Sequence, residues 1–138
     1  MENPKVIVYT RSNRIPEPSR LAAELSSRAP WLVLPASFDL REARGYIPLG
    51  STGFVVWLSS ITAAEIERHK EALKEAGEGD DVHLAILQAS DTHIMFNCKD
   101  EKEVAAARLV AGALATLSGG FVCDPQTDVT IEGGYLPL

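Results

Sequence analysis

The chain has 138 residues, of which 46% are hydrophobic and 23% are charged, and its formal net charge at pH 7 is −6. This length suits one domain with a sizeable core, no apolar run is long enough to span a bilayer, and the acidic balance disfavours a nucleic-acid backbone as a partner. Cys98 and Cys123 are too few for a disulfide framework and lack metal-ligand spacing. The start of the chain lacks the basic region and apolar stretch of a signal peptide, so these features predict a cytoplasmic protein.

The first elements of the chain are a strand and a helix. Residues 6–10 form an apolar, β-branched run that predicts a buried strand. Pro18 suits the first turn of a helix, because its missing N–H has no intrahelical partner there. The inner face of this helix is predicted to carry Leu21, Ala22 and Leu25.

The next segment contains two predicted strands. Residues 31–34 predict a second strand, which is either an edge strand or is broken at Pro35, because proline donates no ladder hydrogen bond. Residues 39–50 are predicted to be a polar connection with a short helical turn. The apolar run at 53–58 predicts a central strand.

The clearest local signature is a helix start at Thr62. Thr62 and Glu65 have the spacing of a capping box, in which each side chain binds the other residue's backbone N–H. Ile61 and Ile66 stand at the positions of a hydrophobic staple. The pattern predicts a helix over 62–76.

Two further apolar runs predict a hairpin. Residues 82–88 and 93–98 are both apolar, and a turn near Ser90 would pair them as antiparallel strands. In that register His83 faces Cys98. Because both faces of this hairpin are mostly apolar, the sheet is expected to be covered on both sides.

The last predicted helix begins at Asp100, with Glu103 completing a box-like pair, and 104–117 is apolar almost all round. A short strand is predicted at 121–123, with a possible final strand at 129–131. The predicted order is β-α-β-β-α-β-β-α-β, which indicates a single α+β domain over 1–138 with a mixed sheet and about three helices.

Acidic residues are concentrated in the second half of the chain. The net charge is +2 through Ser60 and −8 from Ile61 onward. Like charges at i, i+4 and i+8 of the helix 62–76 would form an acidic surface for a basic protein, or an ordinary solvated face. The predicted partner-binding residues are Glu67, Glu71, Glu75, Glu78, Asp80 and Asp81.

The sequence contains no recognisable motif of catalytic or metal-ligating residues. His69, His83 and His93 fall short of a structural zinc site and are predicted to be structural or surface residues. No Gly-x-Ser-x-Gly elbow is present, and no carboxylates can be paired in a pocket. We therefore predict no catalytic residue, no metal and no cofactor.

Arg11, Arg14 and Arg20 follow the first strand and could bind an anion. No glycine-rich phosphate cradle accompanies them, so solvated arginines are the simpler interpretation. A pocket at the strand ends near Arg11, Arg14 or Asp124 would instead indicate a small α/β enzyme or ligand-binding domain.

The segment from Gly119 to Thr127 follows the long Ala-rich helix with two glycines, a short apolar strand and Asp124-Pro125-Gln126-Thr127. This arrangement resembles the C-terminal part of small immunity proteins of bacterial polymorphic-toxin and secreted-toxin systems. The resemblance implies a cytoplasmic α+β protein that binds a toxin's enzymatic domain and blocks it. The expected partner is a protein, with no nucleic acid and no membrane.

Overall fold

The computed structural model describes residues 6–35, 38–39, 44–75, 81–123 and 135–136. The fold is α+β, as predicted, and the described part contains six strands, four α-helices and one 3₁₀ turn. The strands are β1 Val6–Thr10, β2 Arg44–Leu49, β3 Thr52–Ser60, β4 Thr92–Asn97, β5 Phe121–Cys123 and β6 Tyr135–Leu136. The helices are the 3₁₀ turn Ser12–Arg14, α1 Pro18–Arg28, α2 Ala63–Glu75, α3 Asp81–Ala89 and α4 Glu101–Ser118.

All six strands belong to one sheet in the order β2-β3-β4-β1-β5-β6. The pairs along the sheet are antiparallel except β5 with β6, which is parallel, so the sheet is mixed as predicted. The first strand of the chain, β1, lies between β4 and β5, which come near the end of the described residues. Its apolar side chains are therefore covered on both faces of the sheet.

One face of the sheet packs against α1 and α4. Alternate residues of β1, Val6 and Val8, are fully buried on this face with Leu21 and Leu25 of α1. Pro18 occupies the first turn of α1, as predicted, while Ala22 is only half-buried. This face contains the larger of the two apolar clusters that the described residues form.

Helix α4 forms the centre of that cluster because almost every side of it is apolar. Asp100 caps it by accepting a hydrogen bond from the Glu103 N–H at 2.8 Å, and Gly119 ends it with φ +73° and an N–H to Ala115 carbonyl bond of 2.9 Å. The many alanines allow α4 to approach the sheet closely. These features confirm the predicted cap, the buried helix and its glycine stop.

The opposite face packs against α2 and α3. The intervening residues of β1, Ile7 and Tyr9, point to this side and contact a smaller apolar cluster. The predicted capping box of α2 is present, with Glu65 N–H to Thr62 Oγ1 at 3.2 Å and Thr62 N–H to Glu65 Oε1 at 3.3 Å. The expectation that the sheet is covered on both sides is therefore confirmed.

The predicted hairpin of 82–88 with 93–98 is wrong. Residues 81–89 form helix α3, and β4 pairs instead with β1 and β3, which occupy both of its edges. Ala85 is exposed whereas Leu84 and Leu87 face the core, a spacing of three that fits a helix and not a strand. His83 therefore does not face Cys98 across a hairpin, and the described part has four α-helices where about three were expected.

The second strand lies at residues 44–49 and not at 31–34. Pro30 and Pro35 flank 31–34 and donate no hydrogen bond, and that segment is not paired with any described strand. The predicted connection 39–50 instead contains β2, which joins β3 through the turn Gly50-Ser51, where Gly50 has φ +62°. The predictions at 129–131 and Asp124 lie outside the described residues.

Candidate functional site

The first candidate surface is the outer side of α2. Glu67, Glu71 and Glu75 are all exposed and follow one another at intervals of four residues. Residues at this interval lie about 6 Å apart on one helix face, so the three carboxylates form a row about 12 Å long. We call Glu67, Glu71 and Glu75 the acidic row.

Within the described residues, only one member of the acidic row forms an ion pair with a neighbouring cation. Lys70 Nζ lies 3.5 Å from Glu67 Oε1 and donates to Gln88 Oε1 of α3 at 2.7 Å. Within the described residues, neither Glu71 nor Glu75 makes an ion pair or hydrogen bond through its side chain. Lys70 therefore offsets the charge of Glu67.

Three of the six predicted partner-binding residues are thus placed on one helix. Glu78 and Asp80 lie outside the described residues. Asp81 begins α3, and its side chain is also outside the described part. The acidic row is the portion of the predicted surface that the structure assembles.

The second candidate is a cavity at the end of β1, with a volume of about 320 Å³. It lies between the C-terminal ends of α3 and α4, next to the turn that follows β1. The cavity is lined by Thr10, Arg11, Arg14, Ala85, Ile86, Ala89, Ser90, Ser118 and Gly119. Arg20, the third arginine of the predicted anion-binding group, lies with Arg14 at a separate depression.

A carboxylate fixes the turn that carries the two arginines of the cavity. Asp91 Oδ1 accepts from the Ser12 N–H at 2.7 Å and from Thr92 Oγ1 at 2.8 Å, and its Oδ2 accepts from Ser12 Oγ at 3.1 Å. These hydrogen bonds, led by the one from the Ser12 N–H, hold the pKa of Asp91 below its ordinary value. Asp91 therefore stays ionised at neutral pH while its hydrogen-bonding capacity is used by Ser12 and Thr92.

A third group lies between the sheet and α2. The Tyr9 hydroxyl is 2.5 Å from His69 Nδ1, and His93 Nε2 is 2.8 Å from Ser59 Oγ. Tyr9, His93 and Ser59 are cross-strand neighbours on β1, β4 and β3. We call Tyr9, His69, His93 and Ser59 the polar seam: Tyr9 joins the sheet to His69 of α2, and the ring of His93 lies beside that of Tyr9, with centroids 6.3 Å apart.

Burial dominates the electrostatics of the polar seam. It lowers the pKa of His69, and the neighbouring charge of His93 lowers it further. Burial also lowers the pKa of His93, while Glu65 acts in the opposite direction. Both imidazoles are therefore neutral at pH 7, and a neutral His69 can accept a hydrogen bond from the Tyr9 hydroxyl at Nδ1.

A serine hydrogen-bonded to a histidine is the beginning of a nucleophile and base pair. Here the carboxylate that acts on His93, Glu65, binds Thr62 through its Oε1 as part of the helix cap. The prediction that His69 and His93 are structural fits this arrangement. Within the described ranges, no three His, Cys, Asp or Glu side chains come together as possible metal ligands.

The polar seam was not predicted because the partner of the strand that contains His93 was predicted wrongly. The prediction pairs this strand with the segment 82–88, whereas β4 pairs with β1 and β3. Cys98 lies buried on the other face of the sheet, in the cluster with α1 and α4. The polar and β-branched ends of 6–10 and 53–60 contain no signal that would have revealed this pairing.

An apolar cleft of about 440 Å³ lies beside the sheet edge formed by β2. Its wall includes Trp31 and Val33, whose side chains are 62% and 70% exposed, together with Pro48, Leu49 and Lys102. Exposed tryptophan is enriched at protein interfaces. The sequence analysis had assigned Trp31 and Val33 to a strand.

Comparison with known proteins identifies no relative: no family model, no curated protein and no solved structure matches the chain. The interpretation of the surfaces therefore depends on their geometry and charge. Among the helices of the described residues, none has the length and apolar character needed to cross a bilayer.

Proposed function

We propose that this chain is a cytoplasmic binding protein that neutralises a bacterial toxin domain by direct contact, as an immunity-type inhibitor. The observation that carries the proposal is the acidic row, in which Glu71 and Glu75 are exposed and uncompensated among the described residues. A protein that acts in this way covers its partner and requires no catalytic group, metal or cofactor of its own.

The acidic row is supported by a rigid helix. The capping box fixes the start of α2, Ile66 is 5% exposed in the apolar cluster, and His69 is bonded to Tyr9 of the sheet. Lys70 connects α2 to α3 through Gln88. A surface that is already ordered before binding loses little conformational entropy when a partner docks.

The charge of the acidic row favours a basic partner. Aligned like charges create a local negative potential that accelerates the approach of an oppositely charged surface and orients it. A basic toxin domain, such as a nuclease, has the complementary charge. The toxin's catalytic surface would then be covered by steric blockade.

The proposal is tested by expressing the chain together with the toxin domain encoded beside its gene. We expect cells that produce both proteins to grow, and cells that produce the toxin domain alone to die. Growth arrest in the presence of a folded, well-expressed chain would overturn the proposal.

The role of the acidic row is tested with Glu71→Lys on the purified pair. We expect the association rate at low salt to fall by about threefold or more, because steering depends on local charge, and the difference to shrink in high salt. Glu101→Lys is the matched control, since Glu101 is exposed at the start of α4 on the opposite side of the sheet. Equal association rates for both variants would remove the acidic row from the interface.

A further inference from the structure

The cavity at the end of β1 has properties that binding through the acidic row does not explain. Arg11 and Arg14 are exposed at its rim. Neither makes a hydrogen bond or ion pair through its side chain within the described residues. The nearby carboxylate, Asp91, is bound by Ser12 and Thr92. Arg11 and Arg14 therefore bring two positive charges that have no ion-pair partner within the described residues to one cavity of a chain whose net charge is −6.

The turn that carries these arginines is held in place by the fold. Besides its side-chain bonds to Ser12, Asp91 donates its backbone N–H to the Thr10 carbonyl at 3.1 Å. Arg11 accepts the Arg14 N–H through its own carbonyl at 3.0 Å, which closes the 3₁₀ turn. Both guanidinium groups therefore extend from a backbone that is fixed before any ligand arrives, which reduces the entropy lost on binding.

The cavity wall on the side of α3 is apolar, since it consists of Ala85, Ile86 and Ala89. The polar lining is already bonded: Ser90 Oγ donates to the Ile86 carbonyl at 2.7 Å, and Thr10 Oγ1 donates to the Ser118 carbonyl at 3.5 Å. A complementary ligand has a charged group at the rim and a small apolar body against α3. A volume of about 320 Å³ is at the lower end of the range for small-molecule sites.

The C-terminal helix ends beside the cavity repel an anion, so the size of their partial negative charge matters. Each helix C-terminus is equivalent to about −0.5 of an elementary charge, and α3 and α4 both end here. Two arginines supply two full positive charges, and guanidinium binds phosphate or carboxylate through paired hydrogen bonds. The ionised Asp91 and the two helix ends together offset about two positive charges, so binding depends on these paired hydrogen bonds, and the anion belongs at the rim and not deep between the helix ends.

We propose that this cavity binds a small organic oxyanion, in which a phosphate or carboxylate contacts Arg11 and Arg14 and an apolar body contacts Ala85, Ile86 and Ala89. The site is independent of the acidic row, which lies on α2. Loss of one function would therefore leave the other intact.

The test is a titration of the full chain with four probes, followed through the backbone amide NMR signals of Ser90 and Gly119. The probes are butyl phosphate, butyrate, inorganic phosphate and uncharged butanol. We expect butyl phosphate or butyrate to bind with a dissociation constant of about 1 mM or tighter, inorganic phosphate to bind more weakly, and butanol to give no saturable shift. The organic anion that binds with the lower dissociation constant shows whether the site prefers a phosphate or a carboxylate.

Substitutions distinguish binding of an anion in this cavity from a general attraction of anions to the chain. Arg11→Gln and Arg14→Gln should each weaken the organic anion by about tenfold or more, because each removes a charge-assisted contact. Arg68→Gln makes the same charge change on α2 and should leave the affinity unchanged. Ala85→Phe fills the cavity from an exposed position of α3 and should abolish binding without lowering the melting temperature.

Two results would overturn the proposal. One is the absence of saturable shifts at Ser90 and Gly119 with any probe at about 10 mM, which is tenfold above the expected constant. The other is binding that Arg11→Gln, Arg14→Gln and Arg68→Gln weaken equally, because it would show only a response to net charge. Neither result bears on inhibition of a toxin by the acidic row.

Discussion

The two faces of the sheet are built from different chemistry although they share every strand. The face toward α1 and α4 is a large apolar cluster in which α4 contributes mostly alanine, valine and leucine. The face toward α2 and α3 has a small apolar cluster next to the polar seam, where Tyr9 binds His69 and His93 binds Ser59. Because successive side chains of β1 lie on opposite faces of the sheet, Val8 lies on the first face and Tyr9 on the second.

This difference assigns separate roles to the two layers. Burial of apolar surface is the main source of stability, so the α4 layer should supply most of the free energy of unfolding. The α2 layer depends on a few hydrogen bonds and on imidazoles that must stay neutral. It also carries the acidic row, so the layer that presents the proposed interface is the less strongly held one.

The largest expected effect comes from removing a leucine on the α4 face. Leu114 and Leu87 are both 0% exposed, but Leu114 lies in the large cluster and Leu87 in the small one. Leu114→Ala should lower the free energy of unfolding by about 3–5 kcal/mol, and Leu87→Ala by about 2–3 kcal/mol, because the smaller cluster can relax around the cavity. Urea denaturation of both variants measures the difference.

Because the two substitutions delete the same atoms from equally buried positions, the difference reports the surroundings alone. Equal losses of stability, or a larger loss for Leu87→Ala, would contradict the division between the two faces. A variant that changes the slope of the denaturation curve as well as its midpoint would indicate altered cooperativity and would need a second probe.

The next effect concerns Glu103, a carboxylate buried on the α4 side. Glu103 is 0% exposed, where it accepts the Thr52 hydroxyl and the Lys99 N–H, the latter at 2.8 Å. Glu103→Ala leaves both donors without this acceptor, and we expect a loss of about 1–3 kcal/mol in thermal or urea unfolding. Glu101→Ala, at an exposed position of the same helix turn, should change stability by less than about 1 kcal/mol. Similar losses for the two variants would show that Glu103 acts only through the helix dipole.

Much of the fold was predictable because its local signals agree with its tertiary contacts. The strand at 6–10, the capping box of Thr62 and Glu65, the Asp100 cap and the glycine stop of α4 all lie where the sequence predicts them. Each depends on neighbours within a few residues. Local geometry of this kind is fixed by the residue types themselves.

The errors occurred where pairing partners are distant in the chain. An apolar run of seven residues at 82–88 suits a strand or a buried helix equally well, and only the occupation of both edges of β4 by β1 and β3 decides between them. The strand β2 contains Gly45 and Pro48, two residues that are rare in strands, and is stabilised by its ladder with β3. Gly50-Ser51 between apolar runs was the usable signal for this hairpin.

The candidate surfaces divide in the same way. The acidic row follows from helical spacing, so the sequence predicts it directly. Arg11, Arg14 and Arg20 were predicted to be solvated, with anion binding as the alternative, and the cavity beside Arg11 and Arg14 also needs α3, which was predicted to be a strand. The polar seam needs three strands in register and was not predictable from any local pattern.

The smallest expected effect is a dependence of stability on pH that originates in the polar seam. The folded chain holds the pKa values of His69 and His93 below the ordinary value of 6.5, chiefly through burial. As the pH falls through 6.5, the unfolded chain binds protons before the folded chain does, so the free energy of unfolding decreases. The two histidines contribute fully to the free energy of unfolding above pH 6.5. Below pH 6.5 this contribution decreases by at most about 1.4 kcal/mol per pH unit for each proton bound.

The loss should be well below that limit, because both histidines are only half-buried. The other charged groups around them are Glu65 and Arg68; the pKa of Glu65 is lowered by its bonds to Thr62, so it stays ionised throughout this window. Urea denaturation at pH 7 and pH 5.5 measures the decrease, and His69→Gln should reduce it. Tyr9→Phe is the control: it removes a hydrogen bond worth about 1 kcal/mol but keeps both imidazoles, so it should lower stability and leave the pH dependence in place. If the wild-type chain is equally stable at the two pH values, neutral imidazoles are not what holds α2 to the sheet.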